Sequence, residues 1–129
     1  MLAVIDTNIL VSGLWTPAGK ASEIISNIIA GRIRACTDHR IMEEYRNVLL
    51  RPKFCFNEHQ VNALLDLIAA EGLSVVPETV HGVDFPDEFD RPFYEVALFC
   101  NAPLVTGNLK HFPADPRVMS LAEFCGRYL

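Results

Sequence analysis

Apolar positions along the chain fall into short continuous runs and helical stripes that take turns. Leu2 to Ile5 is an unbroken apolar run closed by Asp6-Thr7-Asn8, the form of a fully buried strand opening into a helix that starts at Asn8. A run apolar on both faces predicts a central strand. Between Lys20 and Ala30, apolar residues at Ala21, Ile24, Ile25, Ile28 and Ile29 trace one face of a helix that Gly31 ends. Ala35 to Thr37 reads as a minimal strand. Asp38 then caps a helix bearing Ile41, Tyr45, Val48 and Leu49 on one face, until Pro52 forbids continuation. Asn57 caps another, striped by Val61, Leu64, Leu65 and Ile68 and ended by Gly72. Leu73 to Val76 is strand-like, Val83 to Phe89 is an acidic loop, and Phe93 to Cys100 is helical with Pro92 in its first turn. Pro103 to Thr106 is a strand ending at Gly107. A short strand near Val118 and a helix from about Leu121 complete the pattern.

Alternation of strand and helix implies right-handed crossovers and a parallel sheet covered on both faces, an α/β sandwich. Function in such sheets gathers beyond the carboxyl ends of the strands. The residues there are Asp6, Asp38 and Thr106 to Asn108.

Composition narrows the class. A chain of 129 residues, half of them hydrophobic and without repeats or linker-like tracts, is one domain spanning 1–129, and burial of roughly two-thirds of its surface supplies a core without staples. The four cysteines, Cys36, Cys55, Cys100 and Cys125, lie far apart with no C-x-x-C pair, which reads as reduced thiols in a cytoplasm rather than disulfides or zinc. No apolar run approaches the roughly 18 residues of a membrane span, and Asp6 stands where a signal peptide would have basic residues before an apolar stretch. The expectation is a cytoplasmic protein with no membrane contact. A net charge of −5 argues against gripping nucleic acid by surplus lysine and arginine alone. An anionic substrate would need another source of positive charge.

Most of the sixteen acids belong on solvated faces, so a candidate must be set apart by its position. Asp6 follows an apolar strand directly and therefore lies at the carboxyl edge of the sheet; helix capping is its plainer reading. Glu44 stands about 40° from Val48 on the apolar stripe, whereas Glu43 points away. An inward carboxylate is costly unless a cation or donors meet it, and an ion pair with an arginine is the plainer reading. In Asp84-Phe85-Pro86-Asp87-Glu88-Phe89-Asp90, Asp90 heads the buried stripe of the following helix, while Asp87 is one step further into the loop. Thr106-Gly107-Asn108 follows the late strand and is also ordinary turn chemistry.

Were Asp6, Glu44, Asp90 and Asp87 to meet at one sheet edge, with Asn108 adding a neutral oxygen, their mutual repulsion would call for a counter-ion. Oxygen-only ligands select hard cations such as Mg²⁺ or Mn²⁺, one ion or two. Such a cation would let an acidic protein act on a polyanion, since it activates water and meets the phosphate.

The segments VIDTNIL, IMEEYRNVLLRPKF, PDEFDRPFYEVAL and LVTGNLKHFP, followed by a short final helix, together resemble the PIN domain, the nuclease fold of VapC-type toxins. The resemblance covers nearly the whole chain. It implies a three-layer α/β/α sandwich with a central, mainly parallel sheet and a metal-dependent endoribonuclease activity. Asp6, Glu44 and Asp90 fall on the family's acidic ligand positions, with Asp87 as an accessory acid. Asn108 stands where the family often has an aspartate, a departure that removes one charge from any second metal position. The resemblance further implies a homodimer and an antitoxin protein partner. Within that reading, Asp6, Glu44 and Asp90 are the catalytic set, and Asn8, Thr106, Arg91 and Lys110 orient ligands, water or RNA phosphates. Arg40, Arg46, Arg51 and Lys53 form a candidate basic rim.

Three other readings compete. His39 and His111 both follow strand-like segments and suit a metal-free acid–base mechanism. Asp6 suits a phosphatase nucleophile, except that the second acid such sites place two residues on is Asn8 here. A weakly active or non-catalytic binding module would follow if Asn108 left the metal too loosely held. Trp15, Phe54 and Phe56 suit base stacking, yet loop aromatics more often anchor packing.

Overall fold

The computed structural model describes residues 1–129. Its elements run β1 (Leu2–Ile5), α1 (Thr7–Trp15), α2 (Lys20–Ile29), β2 (Arg34–Thr37), α3 (His39–Leu49), α4 (Glu58–Glu71), β3 (Leu73–Ser74), α5 (Arg91–Cys100), β4 (Leu104–Val105), β5 (Val118–Met119) and α6 (Leu121–Tyr128). Single 3₁₀ turns occupy Pro52–Phe54, Glu88–Asp90 and Leu109–His111. The five strands lie in the order β3-β2-β1-β4-β5 and every pairing is parallel. Helices complete the three-layer α/β/α sandwich expected from the alternation.

The strand order explains where a site forms. The chain builds leftward from β1 to β3, then returns through α5 to place β4 on the other side of β1. This reversal opens a crevice beyond the carboxyl ends of β1 and β4, where no crossover covers the sheet. Ala3, Val4 and Ile5 of β1 are fully buried, as the continuous apolar run requires of a central strand. They belong to a single core of 31 buried side chains.

Local signals were read with small offsets. Asp38 and Asn57 cap α3 and α4 by accepting the Ile41 and Gln60 amides. The first helix begins at Thr7 rather than Asn8, and α5 begins at Arg91 rather than Phe93. The strand expected over Leu73–Val76 pairs only through Leu73–Ser74, although the Val75 amide still donates to the Thr37 carbonyl. Gly13 lets α1 rest directly on α2, because a Cβ there would stand 2.8 Å from the Ala21 carbonyl oxygen.

Candidate active site

Five elements converge on the crevice. Asp6 leaves β1 at the head of α1, Glu44 projects from α3, and Asp87 and Asp90 arrive on the 3₁₀ turn that leads into α5. All four line one cavity of about 710 Å³, together with Asn8 and Arg51. Tyr45, fully buried, donates to the Ile5 carbonyl at 2.5 Å and so ties α3 to the end of β1, fixing Glu44 beside Asp6.

The capping reading of Asp6 does not hold, since its side chain makes no cap bond, and neither does that of Asp90 at the head of α5. Thr106, from β4, instead donates its hydroxyl to Asp6 Oδ2 at 2.7 Å. His111 Nδ1 lies 3.1 Å from Asp90 Oδ2, and the Thr7 hydroxyl donates to Glu44 Oε2. Each of the three acids thus has one oxygen held by a protein donor. Asp87 does act as a cap, accepting the Phe89 amide at 3.0 Å.

Pairing separates Asp6 from the other buried acids, Asp38 and Glu95. Asp38 and Glu95 share Arg40, Glu88 has Arg91, Asp115 has Arg117 and Glu123 has Arg127. Neither Asp6, Glu44 nor Asp87 has a salt-bridge partner, and Asp90 has only His111. The ion pair that was the plainer reading of Glu44 is therefore absent. Burial raises the Asp6 carboxyl above its ordinary range, against the Thr106 hydroxyl and Thr7 amide, which lower it. Burial likewise raises Glu44, opposed by Thr7 and reinforced by Asp6, Asp90 and Asp87. Asp90 is pushed up to about 6 by burial and by the charges of Asp6 and Asp87, with His111 working the other way.

The set fits a hard divalent cation in donor chemistry: oxygen ligands, net negative charge and no competing lysine or arginine. As placed, no three acidic, histidine or cysteine side chains stand close enough to hold an ion together. Asp6, Glu44, Asp87 and Asp90 share the cavity without forming such a cluster.

Other expected positions distribute unevenly. Thr106 is fully buried and orients Asp6 while accepting the Asn108 amide at 3.0 Å. Asn8, Asn108 and Lys110 are exposed. The Arg91 guanidinium lines the cavity while donating to the Val80 and Val83 carbonyls and to Glu88 and lying over the Phe85 ring. These bonds clasp the loop. Arg40 is similarly engaged, leaving Arg51 as the free cation among the cavity-lining arginines. Thr7 and His111 as carboxylate clamps, and Glu95 as the buried partner of Arg40, were not anticipated. Thr7 could have been found from its place beside Asp6, but no local signal marks Glu95.

A PIN domain family profile matches residues 3–110, spanning every element that lines the cavity. The chain belongs to the PIN domain family. It is also 31% identical over 108 residues to the uncharacterized protein MJ1680 of Methanocaldococcus jannaschii, a match covering 81% of this chain and 69% of that one. No solved structure matches. PIN membership makes this a nuclease-type fold, in a family whose members are generally metal-dependent ribonucleases. No helix is long and apolar enough to cross a membrane.

The raised carboxyls carry a sign for stability. A group whose folded pKa exceeds its unfolded value stabilises when protonated, and that contribution is lost as pH rises through the folded pKa. For Asp90 the window runs from 3.8 to about 6. In chelator, the melting temperature is expected to fall between pH 4 and 6, roughly that window. Manganese at a hundred times its Kd is expected to restore about 2.7 kcal/mol at neutral pH; thermal denaturation across pH, with and without the ion, checks both.

Proposed function

We propose that this PIN domain is an endoribonuclease dependent on Mg²⁺ or Mn²⁺, with Asp6, Glu44 and Asp90 holding the cation. The carrying observation is a set of acids without lysine or arginine partners, each with one oxygen bonded to a separate protein side chain, around one cavity. A bound divalent ion would supply water activation and neutralise charge developing on the phosphate.

The chain's own residues do the positioning. Thr106 holds Asp6 in one rotamer from the neighbouring strand, Thr7 holds Glu44, and His111 holds Asp90. Asp87 adds negative charge from the turn before α5, whose one capping bond fixes its direction. Asn108, on the exposed turn after Thr106, offers a neutral oxygen at the position where an aspartate would favour a second ion. Asn8 and Lys110 stand at the rim as candidate contacts to substrate oxygens. By similarity to VapC-type toxins, the reading extends to a toxin role, an antitoxin partner and a homodimer. Exposed Ile29, Val76 and Phe99 provide apolar area for such partners. Four free cysteines accord with a reducing, cytoplasmic setting.

The test is cleavage of a mixed RNA pool. Fragments are expected with Mg²⁺ or Mn²⁺ and none in EDTA, with activity recovered on adding the ion back. Chelator-insensitive cleavage would overturn the metal reading in favour of His39 and His111. Calorimetric Mn²⁺ binding without fragments would assign a non-catalytic binding module, the reading favoured by the neutral Asn108.

A further inference from the structure

Two of the four cysteines meet inside the fold, away from the residues that line the carboxylate cavity. Cys36 is the third residue of β2 and is fully buried. Cys100 ends α5 on the apolar stripe of Phe93, Val96 and Ala97, the i, i+3, i+4 and i+7 positions of one helix face. This helix packs against β1 and β2, and Cys100, half-buried, rests on the core to which Cys36 belongs. Ala97 and Ala102 flank Cys100 and are both buried; side chains so small let the end of α5 come close to the sheet. Burial pushes the Cys36 thiol up to about 12, and Cys100 adds to the rise through its charge and through a hydrogen bond between the two side chains. The other two cysteines lie elsewhere. Cys55 is exposed after the 3₁₀ turn that follows α3, and Cys125, on α6, turns its thiol to the Lys20 carbonyl at 3.9 Å.

The paired thiols are unequal. Cys100 keeps part of its surface in solvent, so a small oxidant reaches it first. Cys36 has no solvent surface and holds its proton firmly, which leaves it inert until a sulfur beside it is activated. An accessible cysteine with a second one in reach is the arrangement of an attacking and a resolving thiol. In a reducing setting lasting disulfides are rare, and those that form are transient and redox-linked.

We propose that Cys36 and Cys100 are a reversible dithiol that a peroxide converts to a disulfide joining β2 to α5. The Cys100 sulfur attacks one peroxide oxygen and the O–O bond breaks; the departing hydroxide takes the thiol proton and leaves as water, with Cys100 now a sulfenic acid. The Cys36 sulfur then attacks the Cys100 sulfur, the S–O bond breaks, and hydroxide again leaves as water with the Cys36 proton. Two electrons pass from the sulfurs to the peroxide, and a dithiol reductant reverses the change. The bond ties together two elements whose other ends carry the acids, since α5 begins beside Asp90 and β2 runs through Asp38 into α3, which bears Glu44. The oxidation itself does not depend on RNA cleavage.

The reduced full chain in EDTA is treated with hydrogen peroxide, the excess is destroyed with catalase, and remaining thiols are alkylated in denaturant before digestion and mass spectrometry. A linked peptide containing Cys36 and Cys100 is expected, two hydrogens lighter than its separate parts and absent after dithiothreitol. Because the bond closes a long loop, the melting temperature of the oxidised monomer is expected to rise by about 10 °C and to fall back with reductant. Cys36→Ala and Cys100→Ala are each expected to abolish the linked peptide and the rise; the second, at a half-buried position, serves where the first fails to fold. Cys55→Ser is expected to change neither. Alkylation of both thiols after peroxide, oxidation of Cys100 to sulfinic acid without linkage, or pairing of either with Cys55 or Cys125 overturns the proposal. So does a linked peptide that forms only when peroxide is added in urea, since the fold would then not be what brings the thiols together.

Discussion

Asp6→Asn is expected to lower metal-dependent RNA cleavage by about a thousandfold, while leaving the metal-free protein at least as stable as wild type. The two effects have one cause. Asp6 is 4% exposed, has no salt-bridge partner and carries a carboxyl that burial pushes upward, so its charge works against the fold when no cation is present. Asparagine keeps an oxygen to accept the Thr106 hydroxyl and removes that charge. Losing a charged ligand forfeits several kcal/mol of charge stabilisation, and about 4 kcal/mol corresponds to a thousandfold in rate. Glu44→Gln is expected to behave alike, since the amide can still accept from Thr7. Parallel cleavage assays and melting curves in EDTA decide the matter. A variant that loses activity together with stability would mark Asp6 as a structural residue.

The fold was legible because its signals are periodic. The stripes of α2, α3 and α4 repeat with helical spacing, and a buried central strand must be apolar on both faces, so β1 could be read from Leu2 to Ile5. The strand ends were less so. β3 and β4 each pair through only two residues, and an apolar run records burial without recording where the pairing stops.

At the site, residue type was legible and partnership was not. An aspartate after a strand serves equally as cap or ligand, and only Thr106, one hundred residues away, separates the two for Asp6. Arg91 looked like a phosphate contact because it adjoins Asp90. Its actual partners are carbonyls at Val80 and Val83, brought near by a loop that carries no periodic signal. Glu95 escaped notice for the same reason: its burial is justified by Arg40, fifty-five positions earlier.

That last network supports the second large effect, a loss of about 3–5 kcal/mol on Arg40→Ala. Arg40 reaches Asp38 at 2.7 Å and Glu95 at 2.9 Å, and both carboxylates are 1% exposed in their side chains, whereas the arginine is 36% exposed. Removing the cation strands two buried anions, with only the more distant Arg91, at 3.9 Å from Glu95, to answer one of them. Removing an anion is milder. Glu95→Gln leaves Arg40 still paired with Asp38 and partly hydrated, and its amide oxygen can keep the Val80 amide bond, so a cost of about 1–2 kcal/mol is expected. The inequality is the sensitive part, because an ordinary surface ion pair would make either truncation cost well under about 1 kcal/mol. Urea denaturation of both variants beside wild type measures the difference. Equal deficits in the two variants would mean that Arg40 contributes through packing of its aliphatic stem rather than through charge. Since Glu95 also holds the Val80 end of the loop that Arg91 clasps, and that loop delivers Asp87 and Asp90, loosening it is expected to cut cleavage about 10–100-fold even where the fold persists.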